Sequence, residues 1–398
     1  MTTTRAPWLA AGLLAALPAV LSAQVALHAI SGTSPTDIWV VGDAPAALHW
    51  DGQAWNEVPY GVGHGGGING VWAAGPRSVF AVGDGGTVLH FDGGAWSRMS
   101  VPTDRDLVAV AGRGASDVYA LAQSSNDREA ALLLHYDGSA WTAAPLPLPF
   151  RAGALALAGR EVVVAGFAYF DPQPSERRQA GVVARWSAGR WTTAGWDGQK
   201  VTDPAAGTAG WTRVTASGST VLLFGQREDG THAILTGSGG AWTAVPPAAS
   251  AMSRTLVRAV FLVGDATPVA VYEDGGFARF AGGRWAVVSQ QSAMMQMYGQ
   301  AQPGATPEQQ QAAAARQQQL MAQLQANPML MAVRMQAYNL SRAEGAWGAS
   351  SADFWVVTGE GRIVHVVGEE PSIVYDTECA DPARAGMNPI CQALQAKP

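Results

Sequence analysis

One run of residues recurs along this chain, and its recurrence limits the fold more than any other feature. Asp37-Ile38-Trp39-Val40-Val41-Gly42 is followed by Leu48-His49-Trp50-Asp51-Gly52 and then Trp55. The second pass gives Ser78-Val79-Phe80-Ala81-Val82-Gly83, Leu89-His90-Phe91-Asp92-Gly93 and Trp96. The third gives Asp117-Val118-Tyr119-Ala120-Leu121, Leu134-His135-Tyr136-Asp137-Gly138 and Trp141. Weaker copies end at Trp191, Trp242 and Trp285. A seventh runs from Ala346-Trp347-Gly348 through Asp353-Phe354-Trp355 to Ile363-Val364-His365 and lacks the final Trp. Successive tryptophans lie 41, 45, 50, 51 and 43 residues apart. Repeats of about 40–45 residues are the period of propeller blades. A single core stops growing near 250–300 residues, but a repeat adds a fresh interface with each copy. The 398 residues therefore read as an all-β, seven-bladed β-propeller with four antiparallel strands per blade.

Each unit divides into four strands. In the first, Ala26 to Ile30 reads as strand a, Ile38 to Val41 as b, Ala47 to Trp50 as c, and Trp55 opens d. Asp51-Gly52 reads as the two central residues of a c–d hairpin, since Asp and Gly tolerate the positive φ of a primed turn. Asp92-Gly93 and Asp137-Gly138 repeat it. Ser187-Ala188-Gly189, Ser238-Gly239-Gly240 and Ala281-Gly282-Gly283 hold the same place in the weaker copies. Trp55, Trp96, Trp141, Trp191, Trp242 and Trp285 are expected to be packing anchors of the repeat.

These Asp-Gly-x-x-Trp units resemble the repeat of exported bacterial propellers loosely grouped with kelch and Asp-box proteins. The resemblance spans Gln24 to Tyr375 apart from one insertion. It implies the fold and not an activity, because such propellers host many. In the Asp box of sialidases, Trp stands five residues after Asp; here it stands four after.

The ends differ from the repeat. Residues 1–23 read as a secretory signal, with Arg5, an apolar stretch from Trp8 to Val20, and Leu21-Ser22-Ala23 before a cut at Gln24. About 20 apolar residues would be needed to span a bilayer, so the mature chain is expected not to span a membrane. It is expected to be exported, periplasmic or extracellular. Residues 376–398 form a tail with the only cysteines, Cys379 and Cys391, expected to be disulfide-bonded in an oxidising compartment. The tail is a candidate cover for the seam between blades 7 and 1.

Between blades 6 and 7 lies a Gln/Ala/Met-rich insertion, 290–342, within the 24–375 propeller. Thr306-Pro307-Glu308-Gln309 reads as an N-cap, Pro at the first helical position and a capping-box Gln. A helix is expected from Pro307 to about Ala326, and a second from Asn327-Pro328 to about Ala337. Seven of the eleven methionines lie in the insertion, including Met321, Met331 and Met335, and Met makes adaptable contact surfaces.

Strand alternation places the b–c and d–a connections on one face of the disc. The long connections are all of these two classes, so elaboration is expected to crowd that face over blades 3 to 6. Loops on a rigid scaffold carry function more often than the scaffold does. Candidate binding residues there are Asp127, Arg128, Tyr169, Phe170, Glu176, Arg177, Arg178, Trp196 and Arg227, with the three methionines. The loop of blade 4 is expected to run from Ala168 to Ala180.

No catalytic residue, cofactor or metal is expected. His49, His90, His135 and His365 occupy one repeat position, and equivalent positions in blades packed about 10 Å apart cannot share an ion with ~2 Å bonds. The net charge of −6 does not suit nucleic acid, whose binding requires a basic surface. The expected function is a monomeric, non-catalytic binding or scaffolding propeller of the cell envelope or exterior, holding a protein or glycan on the loop-rich face. Two alternatives are a carbohydrate-active enzyme, a glycoside hydrolase or lyase, and an assembly factor for an envelope complex.

Overall fold

The computed structural model describes residues 25–398 apart from 124–128, 174–175, 197–200, 203–207, 247–256, 273–275, 289–305, most of 309–341, 381–384, 387 and 396–398. The expected signal segment, 1–23, thus lies outside the described residues. Seven antiparallel sheets follow one another, and each is built from consecutive strands a, b, c and d. In blade 1 these are Leu27–Ser34, Asp37–Gly42, Ala46–Trp50 and Trp55–Pro59. Strand b is short, β-branched and fully buried, as Asp37–Gly42 is at every position. Such a strand needs cover on both faces, and the neighbouring blades supply it.

The a strands contact one another in a closed circle, so they line the axis of the ring. Seven apolar cores alternate with the seven blades. The one between blades 1 and 2, for example, holds Trp39, Val41, Ile68, Val79, Leu89 and Trp96. The repeat tryptophan of strand d reaches back to the aromatic side chain in strand b of the preceding blade. Trp96 meets Trp39 edge-on at 5.8 Å, Trp141 meets Phe80 at 6.4 Å, and Trp55 meets Trp355 at 5.6 Å. Trp191 and Trp242 pack against the cores between blades 3 and 4 and blades 4 and 5, and Trp285 donates to Pro246 O at 2.8 Å. In blade 7, Pro371, paired with Val366, takes the tryptophan's place.

Ring closure exchanges no strand between the first and last blades among the described residues. Blade 7 supplies its own fourth strand, Glu370–Asp376, and blade 1 its own first. Trp355 lies 5.5 Å from Trp50 and 5.6 Å from Trp55 across the seam. Trp347 lies over Gly32, where a Cβ would stand 2.8 Å from the indole. The tail touches this seam through Thr377, which donates to Val25 O at 3.3 Å. Its helix, Pro389–Gln395, goes elsewhere, because its apolar side chain Ile390 enters the core between blades 6 and 7. Cys379 and Cys391 are bonded.

One local expectation is corrected. The c–d turn of blade 1 is centred one residue later, on Gly52-Gln53, because Asp51 N donates to Ala54 O and Trp50 pairs with Trp55. Asp51 instead caps the turn, its Oδ1 accepting from Gln53 N and Ala54 N at 2.8 Å each. Asp137 does the same, and backbone donors from Ala140 and Ser139, with the Ser139 hydroxyl, hold its carboxyl down at about 2. The weaker copies keep the turn length with both central residues at positive φ, as at Ala188 (51°) and Gly189 (79°). The acids that open strand b also bind a histidine of strand c. Asp37 Oδ1 accepts from His49 Nε2 at 2.8 Å, and His49 stacks on Trp39 at 4.1 Å. The pairs Asp117–His135 and Asp353–His365 repeat this at 2.8 and 2.7 Å. Blade 4 fills the same place with Glu161 and Arg185.

In the insertion, the described residues between 307 and 322 are helical, and Gln310 N donates to Thr306 O at 2.9 Å. Among the described residues, no helix is long and apolar enough to cross a membrane.

Candidate functional site

Two structures stand out on the face that carries the b–c and d–a connections. The first is a ring of bulges at the mouth of the axial bore. In every blade, strand a holds one extra residue near its start. Leu27 pairs with Gly42 and Ala29 with Val41, leaving His28 unmatched. The same step isolates Asn69 in blade 2, Val108 in blade 3 and Gly153 in blade 4. It isolates Ala209, Arg258 and Glu344 in blades 5, 6 and 7. A bulge bends its strand and re-aims a side chain. Here it turns a residue out between buried neighbours: Arg258 is exposed while Val257 and Ala259 are buried.

The ring is uneven. Blades 6, 7, 1 and 2 contribute Arg258, Glu344, His28 and Asn69, and blades 3 to 5 contribute only Val108, Gly153 and Ala209. Several polar members also tie the bore wall together. Asn69 Nδ2 donates to Asp84 Oδ1 at 2.8 Å and to Leu107 O of the next blade at 3.1 Å. His28 lies 3.2 Å from Ile68 O and 3.5 Å from Asp43. A second bulge in blade 5, at Thr212, precedes Arg213. Arg213 reaches past blade 6, over the ring of Phe261 at 4.8 Å, and donates to Glu344 O in blade 7 at 2.7 Å. Desolvation lowers its pKa, offset in part by Glu344 and reinforced by the neighbouring Arg258. At Gly153 the mouth is open, since a Cβ there would meet nothing within 4 Å.

The second structure is a ribbon over blade 4, and it corrects the expected loop. Strands b and c of this blade run on as Glu161–Gln173 and Glu176–Ser187. Strand a begins at Arg151, opposite Phe167, but the b–c pairing continues from Ala168↔Ala180 to Gln173↔Glu176. At about 3.3 Å per residue, the six residues 168–173 carry the ribbon roughly 20 Å off the disc. The segment stays a strand because Phe167, Tyr169 and Phe170 have high β propensity. Phe167 and Tyr169 meet edge-on at 5.5 Å. The base is braced on blade 5: a Cβ at Gly181 would lie 2.7 Å from Trp211 Nε1, and one at Gly210 would lie 3.3 Å from Phe167.

The ribbon gathers five of the sequence candidates. Tyr169 pairs with Gln179, Phe170 with Arg178, and Glu176 closes the hairpin with Gln173; Arg177 lies in the same strand. Arg227 ends strand b of the adjacent blade 5, opposite Thr208. Trp196 is apart from them, in strand d, where it pairs with Val201 of a short fifth strand, Val201–Thr202. That strand lies inside what the sequence suggests is a plain d–a connection. Asp127, Arg128, Met321, Met331 and Met335 lie outside the described residues.

The bulge residues escape a reading by alternation, although the sequence carries a signal for them. The residue after each is Ala or Gly: Ala29, Gly70, Ala109, Ala154, Gly210, Ala259 and Gly345. The reason is close contact: a Cβ at Gly345 would lie 3.1 Å from Ile30 in the next blade.

No protein-family model matches the sequence, and no curated protein matches it. Solved structures do. The chain is similar to YCF48 bound to D1 peptide, with a TM-score of 0.53 at 11% identity over 87% of this chain and 95% of that one. It is similar to the WD40 β-propeller domain of Doa1, with a TM-score of 0.53 at 9% identity over 86% and 93%. YCF48 from Cyanidioschyzon merolae gives 0.46 at 14% identity over 67% and 86%. At these identities the likeness to the two structures at 0.53 shows the propeller fold alone.

Proposed function

We propose that this chain is a non-catalytic binding propeller that holds an extended segment of a protein partner on its loop-bearing face, between the blade 4 ribbon and the bore mouth. The observation that carries the reading is the pairing of these two features on one face. All seven blades place a bulge residue at the mouth, and the small residues Val108, Gly153 and Ala209 leave it open on the side where the ribbon rises. An extended chain laid there has a floor of small side chains, a polar arc from Arg258 to Asn69, and a wall bearing Tyr169. Backbone and aromatic contacts of this kind suit a peptide more than a compact ligand. The similar propeller YCF48 was solved with a D1 peptide, which agrees with a propeller holding a peptide.

We further propose that the protein works in the periplasm or outside the cell. The support is the signal-like segment Met1 to Ala23 and the Cys379–Cys391 bond, which persists in oxidising compartments. The test uses the mature chain from Gln24 and a variant with 168–180 replaced by a two-residue Gly turn. Both are passed through an envelope extract of the source organism. A partner retained by the intact chain and lost from the variant supports the reading. A partner retained equally by both refutes it.

A further inference from the structure

The chain end is attached to the ring through one covalent bond and a few apolar side chains. The helix Pro389–Gln395 has seven residues, and a helix this short is not stable alone in water. It is capped by Asn388, whose Oδ1 accepts from Ile390 N at 2.9 Å and whose Nδ2 donates to Glu378 at 2.8 Å. Ile390 is 1% exposed and lies in the core between blades 6 and 7, with Leu394 packed against it. The same core buries Ala337 and Leu340, where the helical insertion returns to the ring. One apolar core therefore holds side chains of the tail, the insertion and the ring. It lies at the interface of the blade where Pro371 replaces the repeat tryptophan. The bond from Cys391 reaches Cys379, on the 3₁₀ turn Thr377–Ala380 that follows the last strand.

We propose that the Cys379–Cys391 disulfide is a redox latch, whose reduction by a dithiol unseats the C-terminal helix and uncovers Ala337 and Leu340 while the ring stays closed. The two sulfurs are unequal. Cys379 is partly exposed and Cys391 is fully buried. A thiolate of the dithiol attacks Cys379 Sγ, the S–S bond breaks, and its electron pair leaves on Cys391 Sγ, which takes a proton from water. The second thiol of the dithiol then attacks the mixed disulfide and frees Cys379. The dithiol departs as a cyclic disulfide, having given two electrons. A thiolate is disfavoured in a buried apolar position, so the step that forms it at Cys391 favours the helix leaving its seat. The other six inter-blade cores contain no residue of the tail, so they keep their packing.

The test is amide hydrogen exchange by mass spectrometry on the full mature chain, oxidised and then treated with a dithiol. The latch predicts at least tenfold faster exchange in peptides covering 389–395 and 336–340 after reduction. The strands of blades 1 to 4 stay unchanged, and re-oxidation restores protection. The double variant Cys379→Ser/Cys391→Ser should show the reduced pattern without any reductant. Unchanged exchange at 336–340 on reduction would overturn the proposal, because the burial of the insertion would then not depend on the bond. A joint loss of protection in all seven blades would overturn it too, because the bond would then support the whole ring.

Discussion

Replacing Trp355 with alanine should open the ring where it closes. Trp355 is 4% exposed and fills the core between blades 7 and 1, against Trp50, Trp55 and, face to face at 3.8 Å, His365. Truncating a buried Trp costs about 3–5 kcal/mol, and each lost aromatic pair adds about 0.5–1.5 kcal/mol within that total. Trp39 has the same role between blades 1 and 2, fully buried and 5.8 Å from Trp96. Its replacement should cost a similar amount of global stability. The two sites differ in covalent continuity, since the chain runs on from blade 1 to blade 2 but, among the described residues, no strand crosses from blade 7 to blade 1. The assay is native-state hydrogen exchange, which separates local opening from global unfolding. Trp355→Ala should deprotect Leu27–Ser34 and Ala343–Ser350 well below the global free energy, while Trp39→Ala should lower protection evenly. Matching exchange patterns in the two variants would refute a seam that no exchanged strand bridges.

Further outcomes follow from the same geometry. Gly112→Ala places a Cβ 2.5 Å from the Trp72 ring and should cost about 1–3 kcal/mol by overpacking; adding Trp72→Ala should make the pair less than additive in urea denaturation. Asp37 is pushed up by burial but more than offset by hydrogen bonds from His49, Thr33 and Trp39, so its net pKa is lowered. A depressed carboxylate stabilises the fold above the unfolded value of 3.8, and that contribution is lost as pH falls through the folded value. The stability gap between wild type and Asp37→Asn should therefore be full at pH 6 and shrink below about pH 4, which urea midpoints across pH 3–7 would check. Gly181→Leu drives a side chain into Trp211 at the ribbon base; it should loosen the ribbon, measured as faster exchange at 168–180, with the blade 1 strands unchanged.

Much of the ring is legible in the sequence because each blade repeats the same short-range chemistry. Strand b reads directly from Asp37 to Val41, and strand d from the tryptophan that opens it. Strand a is less legible. A bulge shifts the alternation by one residue, so His28 or Arg258 looks like an ordinary outward position until the paired registers are compared. The ribbon was hidden for the opposite reason: Asp171, Pro172 and the charges from Glu176 to Arg178 have loop composition, yet they lie in the paired strands Glu161–Gln173 and Glu176–Ser187. Ring closure was illegible, since Trp347 and Gly32 are separated by almost the whole chain. The tail's seat on blades 6 and 7 depends on Ile390 entering the core that also holds Leu340, and no local pattern announces that burial.

The central claim is that a partner lies over the open side of the bore mouth, and two glycines test it most directly. Gly153 at the mouth and Gly114 on the opposite face both have empty space around a would-be Cβ, so a Trp at either place leaves the ring intact. The measurement is the affinity of the captured partner for wild type, Gly153→Trp and Gly114→Trp, by calorimetry. The account predicts at least tenfold weaker binding for Gly153→Trp and an unchanged value for Gly114→Trp. Equal affinity in all three proteins, or a loss confined to Gly114→Trp, would contradict it.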